Sequence, residues 1–146
     1  MNQAERPLLQ LTRVLPASPA VVFAAWTDPE AMKRWMCPGA MTVPIAEMDV
    51  RVGGRYRIVM RNPSGEFEHV GEYREVDPPH RLAFTWISAG TDRQETLVTL
   101  DVRAQGEATE LVLTHERFPH AESRDKHQGG WGAILDCLDK HLQATA

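Results

Sequence analysis

The sequence predicts an α+β fold in which a curved antiparallel sheet of six to seven strands wraps around a long C-terminal helix. Three observations predict it: two short segments that each begin with a helix-capping residue and a proline, a long run of period-two hydrophobicity broken by turn sequences, and a final amphipathic segment. The 146 residues are about one domain's length and 42% are hydrophobic, so a single core is expected without a disulfide or metal.

The chain is expected to begin with a strand and two short helices. Residues 1–7 have no hydrophobic periodicity and are expected to form a flexible N-terminus, whereas residues 8–15 are apolar without helical spacing, which favours a strand. Ser18 and Asp28 each stand directly before a proline, and this combination is typical of a helix start. We therefore expect two short helices, the second ending at the Pro-Gly pair of residues 38–39.

The middle of the chain, residues 44–117, alternates between apolar and polar residues. Turn sequences such as Gly53-Gly54 interrupt it at intervals of about ten residues, which is typical of an antiparallel meander. The expected strands are 45–51, 55–61, 67–76, 80–88, 94–104 and 108–117.

Alternation along these strands assigns the side chains that face the interior. The residues expected to point inward are Tyr56, Ile58, Met60, Leu82, Phe84, Trp86, Val98, Leu100, Val102, Leu111, Leu113 and His115. Glu72 and Tyr73 are neighbours on one strand and therefore lie on opposite faces. Since a bulge could exchange the two faces, which of them points inward stays open.

The last segment, residues 121–142, has the spacing of an amphipathic helix. Its apolar stripe consists of Trp131, Ile134, Leu135, Leu138 and Leu142. Such a helix must pack on an apolar surface, and the concave face of the sheet is the large apolar face that the remaining pattern provides. Toward the start of the helix the stripe becomes small and polar.

Two adjacent glycines, Gly129 and Gly130, stand within this helical segment. A glycine inside a helix costs about 1 kcal/mol relative to alanine, so the pair needs a reason. Three explanations stay open: the backbone packs closely on the sheet, the helix begins near residue 130, or space is left beneath the helix.

If space is left there, a cavity lies between the helix and the sheet, apolar along its walls and polar at one end. Apolar walls with a few convergent polar groups are typical of small-molecule sites. The residues predicted to bind a ligand are Trp26, Trp35, Tyr56, Tyr73, Phe84, Trp86, His115, His127, Gly130 and Trp131.

His115 and His127 are also candidates for acid–base catalysis, because histidine titrates near neutral pH. The alternative is that both are core histidines with satisfied hydrogen bonds. The sequence has no nucleophile motif, and Cys37 has no base nearby in sequence. We therefore assign no catalytic residue, and an enzyme of the cyclase or hydrolase kind remains an alternative.

Composition excludes several classes of protein. The net charge of −4 argues against a general nucleic-acid binder, and no apolar run approaches the roughly 20 residues of a membrane span.

Two cysteines and no secretory leader predict a cytoplasmic protein. One domain is expected over residues 8–144, and the excess of arginine over lysine favours a bacterial source.

Metal and phosphate motifs are weak, so no metal or cofactor is predicted. Residues 115–120 read HExxxH rather than HExxH, and Pro119 prevents the helix that would align the ligands. The glycine pairs at 53–54 and 129–130 lack the rest of either phosphate-binding fingerprint.

A cluster of arginines is the densest basic region of the chain. It consists of Arg51, Arg55, Arg57 and Arg61. We expect a solvated outer face on which Glu66 and Glu68 of the adjoining strand pair across the hairpin. An anionic or protein partner is the alternative, and its association would weaken as salt rises.

Several motifs together resemble a known family. They are residues 22–29 (VFAAWTDP), Arg34-Trp35, residues 53–56 (GGRY), residues 71–86 (GEYREVDPPHRLAFTW), and Gly130-Trp131 followed by Leu135 and Leu138. Over about residues 8–142, the chain resembles the activator of heat-shock protein 90 ATPase homologue family, within the SRPBCC or START-like superfamily.

This resemblance implies a helix-grip (START or Bet v 1-like) fold with a hydrophobic cavity. Members of the superfamily bind lipids, sterols, plant hormones or polyketides, and some are aromatases or cyclases. The leading hypothesis is therefore that the chain binds a small hydrophobic molecule in its interior. The alternatives are a protein-interaction module of the chaperone ATPase activator kind and an enzyme that uses the cavity histidines; homodimerisation stays open.

Overall fold

The computed structural model describes residues 6–36 and 41–145. The strands are β1 (Leu9–Leu15), β2 (Thr42–Met48), β3 (Arg55–Asn62), β4 (Gly65–Asp77), β5 (Arg81–Trp86), β6 (Thr96–Gln105) and β7 (Ala108–Glu116). The helices are α1 (Pro19–Thr27), α2 (Pro29–Trp35) and α3 (Ala121–Thr145), and a 3₁₀ turn occupies Ala89–Thr91.

The seven strands form one sheet in the order β1-β7-β6-β5-β4-β3-β2, with every neighbouring pair antiparallel. The helix α3 contributes Trp131, Leu135 and Leu138 to the same buried core as the inward-facing strand residues. A curved sheet thus holds the long helix, with two short helices after the first strand. The α+β helix-grip fold predicted from the sequence is confirmed.

The two short helices begin where their capping residues predict. The Ser18 hydroxyl accepts a hydrogen bond from the Val21 amide, and the Asp28 carboxylate accepts one from the Glu30 amide at 3.0 Å. Each cap satisfies a backbone N–H that has no partner within the helix. The predicted end of the second helix at residues 38–39, like Cys37, lies outside the described residues.

Strand boundaries differ from the prediction in two informative places. Strand β2 begins at Thr42 rather than residue 45 and includes Pro44, which an edge strand tolerates because one side of it needs no hydrogen-bond donor. Strand β5 ends at Trp86 rather than residue 88, because the Ser88 hydroxyl accepts a bond from the Gly90 amide and caps the 3₁₀ turn. Local side-chain bonds therefore end the strand early.

The predicted inward faces are confirmed. All the strand residues assigned to the interior by alternation are buried, His115 included. Tyr73 is buried and Glu72 contacts Arg74 on the other face, which settles the choice between the two neighbours in favour of Tyr73. The register shift in β4 lies after Tyr73 and therefore does not exchange them.

The strands β4 and β5 approach closely at Gly71. A Cβ atom built there would lie 2.0 Å from the carbonyl oxygen of Thr85, so only glycine fits. The Tyr56 side chain lies across this position, and its hydroxyl donates a hydrogen bond to the same carbonyl. Burial raises the pKa of Tyr56, with a smaller effect from Tyr73, so the hydroxyl keeps its proton.

Candidate functional site

The aromatic side chains expected to line a cavity pack mainly against one another. The ring centroid of Tyr56 lies 5.6 Å from that of Phe84 and 5.7 Å from that of Tyr73. Trp26 contacts Trp35 edge to face at 4.6 Å. The space left in this part of the interior is about 10 Å³, which is the lower limit for one water molecule. The middle of the interior is therefore filled.

A second opening, which we call the α3 groove, lies beside the first half of α3 and has a volume of about 140 Å³. Its lining consists of apolar Met60, Trp86, Trp131 and Ile134, polar His69, Lys126 and His127, and Gly130. The groove therefore has two tryptophans in its walls and a polar end formed by histidines and a lysine.

Gly130 opens the groove from the helix side. A Cβ atom built on Gly130 would have no atom within 4 Å, and the same is true of Gly129, which is more exposed and lies outside the lining. Because α3 begins at Ala121, a helix start near residue 130 does not explain the pair. Of the three explanations for the glycines, only space beside the helix matches this geometry.

His115 is fully buried, and both of its ring nitrogens are engaged. Trp131 Nε1 donates to Nδ1 at 2.9 Å, and Nε2 lies 2.7 Å from the Thr96 hydroxyl. Because that hydroxyl donates to the Trp86 carbonyl, it accepts from Nε2, which therefore carries the ring hydrogen. Burial, with a smaller effect from His127, holds the pKa of His115 well below its usual range. These contacts match the core-histidine alternative.

His127 lies between this core and the groove. Its Nδ1 lies 2.8 Å from the backbone carbonyl of Ser123, and since a carbonyl only accepts, Nδ1 carries a hydrogen. The ring centroid lies 5.1 Å from that of His115. Burial lowers the pKa of His127, opposed in part by the bond to Ser123. The neutral ring is left with an acceptor at Nε2.

His69 lines the groove from β4, and the sequence analysis did not identify it. Its ring centroid lies 4.7 Å from that of Trp86. Burial lowers its pKa to about 4, opposed in part by the nearby backbone of Ile58 and Phe67, so the ring is neutral at pH 7. In the described part of the chain its Nδ1 has no hydrogen-bond partner. The signal was present, because His69 has the same parity along its strand as inward-facing Tyr73.

The structure divides the predicted ligand-binding residues into two groups. The first borders the α3 groove and consists of Trp86, His127, Gly130 and Trp131. The second belongs to the packed interior and consists of Trp26, Trp35, Tyr56, Tyr73, Phe84 and His115. Four further residues line the groove that were not predicted from the sequence as site residues: Met60, His69, Lys126 and Ile134. Two of these, Met60 and Ile134, had been placed on inward faces without being assigned to a site.

Larger depressions on the surface have a different character. One of about 530 Å³ lies between α1 and the Pro78-Pro79 turn, and another of about 410 Å³ covers Arg55 and Arg74 on the outer face of the sheet. Within residues 6–36 and 41–145, three buried side-chain nitrogens have no hydrogen-bond partner, and they belong to Trp26, His69 and Trp86. None of these three residues lines either depression, whereas His69 and Trp86 line the α3 groove.

The arginine cluster is largely neutralised by neighbouring carboxylates. Arg61 pairs with Glu66, and Arg57 pairs with both Glu68 and Glu47. Arg51 pairs with Asp49 at 2.9 Å. The predicted pairing across the hairpin is confirmed, so three of the four arginines offer little uncompensated charge to a partner.

Across residues 6–36 and 41–145, no three His, Cys, Asp or Glu side chains are grouped so that they could hold a metal ion. None of the helices within these ranges is both long and apolar enough to cross a membrane.

A family model described as "Activator of Hsp90 ATPase homolog 1-like protein" matches residues 16–143. The chain belongs to this family. The matched region begins just before α1 and extends through most of α3, so it includes every residue of the α3 groove. The family lies in the SRPBCC superfamily, in agreement with the resemblance found in the sequence.

Solved structures of bacterial proteins have the same fold. A protein from Chromobacterium violaceum is 25% identical with a TM-score of 0.85, covering 92% of this chain and 96% of that chain. An AHSA1 protein from Silicibacter pomeroyi is 27% identical with a TM-score of 0.84, covering 96% of this chain and 100% of that chain. A Rhodobacter sphaeroides protein is 26% identical with a TM-score of 0.82, covering 94% and 93%. Among curated proteins, none matches this sequence.

Proposed function

We propose that this member of the family binds a small hydrophobic molecule in the α3 groove. The observation that carries the proposal is the open space of about 140 Å³ beside Gly130, bounded by two tryptophans and two half-buried histidines. Apolar walls with a few polar groups are what small-molecule sites usually present.

The size of the groove limits the ligand. An engineered apolar cavity of about 150 Å³ binds benzene, whereas sites for drug-sized molecules begin near 300 Å³. A space of about 140 Å³ therefore suits a molecule with a single ring. A larger ligand would have to displace the interior aromatic side chains, which leave only about 10 Å³ among them.

Two competing functions have weaker support. An interaction module based on the arginine cluster would rely on charges that Glu66, Glu68 and Asp49 already compensate. An enzyme that uses the cavity histidines as proton carriers would have to rely on His127 alone, because both ring nitrogens of His115 are engaged in the core.

The test measures toluene binding to the wild type and to variants of the two adjacent glycines of α3. Toluene has a single ring that fits the volume of the groove. Toluene is titrated into the protein while tryptophan fluorescence reports the environment of Trp86 and Trp131. Gly130→Leu places a side chain in the groove, and we expect it to abolish saturable binding. Gly129→Leu is the matched control, since its side chain enters solvent from the same helix turn. Equal binding by both variants and the wild type would contradict the proposed location.

A further inference from the structure

We propose that the preferred ligand of the α3 groove is a phenol: a single aromatic ring with one hydroxyl group, whose oxygen pairs with the buried nitrogens of Trp86 and His69. This inference rests on the proposed function, because it specifies the chemistry of a ligand in the same groove. Its basis is a pair of buried polar atoms that have no hydrogen-bond partner within residues 6–36 and 41–145.

Two of the side chains that line the groove carry such atoms. Trp86 Nε1 and His69 Nδ1 are buried and have no hydrogen-bond partner among the described residues. Buried polar groups are nearly always hydrogen-bonded, and an unpaired one is destabilising, so a pair in one lining calls for an explanation. A third such atom, Trp26 Nε1, belongs to a residue that borders the 10 Å³ void and is absent from the groove lining.

The space available to Trp86 indicates where its partner would lie. Trp86 borders both the void of about 10 Å³ and the groove of about 140 Å³. The void is at the limit for a single water, so of these two spaces only the groove has room for an oxygen atom of a second molecule. Both nitrogens are inaccessible to a water-sized atom in this structure, so the hydroxyl meets them when the Trp86 or His69 side chain turns toward the groove. The Trp86 and His69 ring centroids are 4.7 Å apart. The two rings are therefore neighbours, and one oxygen with hydrogen bonds of about 2.9 Å can bridge two nitrogens that lie up to about 6 Å apart.

A hydroxyl is the group that suits both nitrogens. The indole N–H of Trp86 only donates, so it needs an oxygen acceptor. The neutral ring of His69 presents either a lone pair or an N–H at Nδ1, and a hydroxyl can donate to the first or accept from the second. A carboxylate accepts but cannot donate, and it would bring a charge into a partly apolar site. A methyl group pairs with neither nitrogen.

The cation at the rim of the groove does not require an anionic ligand. The Lys126 ammonium lies 3.1 Å from the Glu122 carboxylate one turn earlier on α3. Both side chains are largely exposed to solvent. The charge next to the groove is thus compensated within the helix, which favours a neutral polar group in the ligand.

The experiment compares phenol, toluene and benzoate by isothermal titration calorimetry on the full chain. We expect phenol to bind about tenfold more tightly than toluene, as one or two neutral hydrogen bonds would provide, and benzoate to bind more weakly than phenol. His69→Leu keeps an apolar wall but removes the nitrogen, so its preference for phenol over toluene should fall to about threefold or less.

A second measurement on the wild type does not depend on any variant folding. In a ¹⁵N–¹H spectrum, phenol should shift the indole resonance of Trp86 downfield, while toluene should not. The Trp26 indole is the internal control, because Trp26 does not line the groove and its resonance should stay in place with both ligands.

The possible results distinguish a failure of the phenol assignment from a failure of the proposed ligand-binding function. If phenol and toluene bind equally and Gly130→Leu blocks both, the groove binds apolar rings but the hydroxyl pairing is wrong. If benzoate binds most tightly, the ligand is an anion and the phenol assignment is also wrong. If no single-ring molecule binds, the proposed function fails first. Tighter binding of phenol together with the Trp86 shift supports the inference.

Discussion

At the scale of single residues, Gly71 and Gly130 lack a Cβ atom for opposite reasons. At Gly71 a Cβ would collide with the backbone of β5, 2.0 Å from the Thr85 carbonyl oxygen. At Gly130 a Cβ would meet no atom within 4 Å, although the residue stands inside a helix. The first glycine allows two strands to approach, and the second leaves a groove open at a cost in helix stability.

These roles predict opposite responses to alanine. Gly130→Ala should raise the free energy of unfolding by about 1 kcal/mol, because alanine favours the helix and meets no obstacle. Gly71→Ala should lower it by at least about 2 kcal/mol, because the backbone of β5 must move. Urea denaturation of the two variants and the wild type measures both effects. A destabilised Gly130→Ala variant would show that the space beside α3 is absent in solution.

At the scale of elements, Asp28 joins the two short helices. Its backbone amide donates to the Ala24 carbonyl at the end of α1, while its carboxylate accepts from the Glu30 amide at the start of α2. Helix α2 in turn contributes Met32 and Trp35 to the core. Asp28 therefore both ends α1 and starts α2, the helix that carries buried Met32 and Trp35.

The contribution of the Asp28 side-chain cap to stability can be measured separately from that of its backbone. Asp28→Ala removes the bond to the Glu30 amide, and we expect a loss of about 1 kcal/mol in the free energy of unfolding. Asp28→Asn keeps an acceptor oxygen in the same place and serves as the control, with a change of less than about half that size. Chemical denaturation at neutral pH measures both variants, and equal losses would mean that the charge, rather than the cap, matters.

The sequence predicted the individual helices and strands better than it predicted the site. The caps at Ser18 and Asp28 and the alternation of the strands are local signals, so the helix starts and inward faces could be predicted. The start of β2 could not, because Pro44 argues against a strand unless its edge position is known. The site could be predicted only in part. The filling of the interior depends on how side chains such as Tyr56 pack across several strands, which no local pattern specifies.

At the scale of the whole molecule, one buried and two half-buried histidines make stability depend on pH. Burial lowers the pKa of His69 from 6.5 to about 4, and it lowers those of His115 and His127 as well. As pH falls from 7 toward 4, these side chains take up protons in the unfolded chain while the folded protein resists protonation. The unfolded state then binds more protons, so the stabilisation present at neutral pH is lost on acidification.

The lowered pKa of His69 accounts for one part of this effect. For His69 alone, a shift from 6.5 to about 4 lowers the free energy of unfolding by about 2 kcal/mol between pH 7 and pH 5. Urea denaturation at the two pH values measures it. The His69→Leu variant cannot take up this proton, so its loss should be smaller by about that amount. Identical losses in variant and wild type would show that the pKa of His69 is not lowered in the folded protein.

The central claim is that the space beside Gly130 admits a small ring. The most direct test is a crystal equilibrated with bromobenzene, in which anomalous diffraction locates the bromine atom. We predict a single strong anomalous peak between Gly130 and the ring of Trp86, with the Trp131 ring as the neighbouring wall. An empty groove at saturating ligand, or a peak only in one of the surface depressions, would contradict the account.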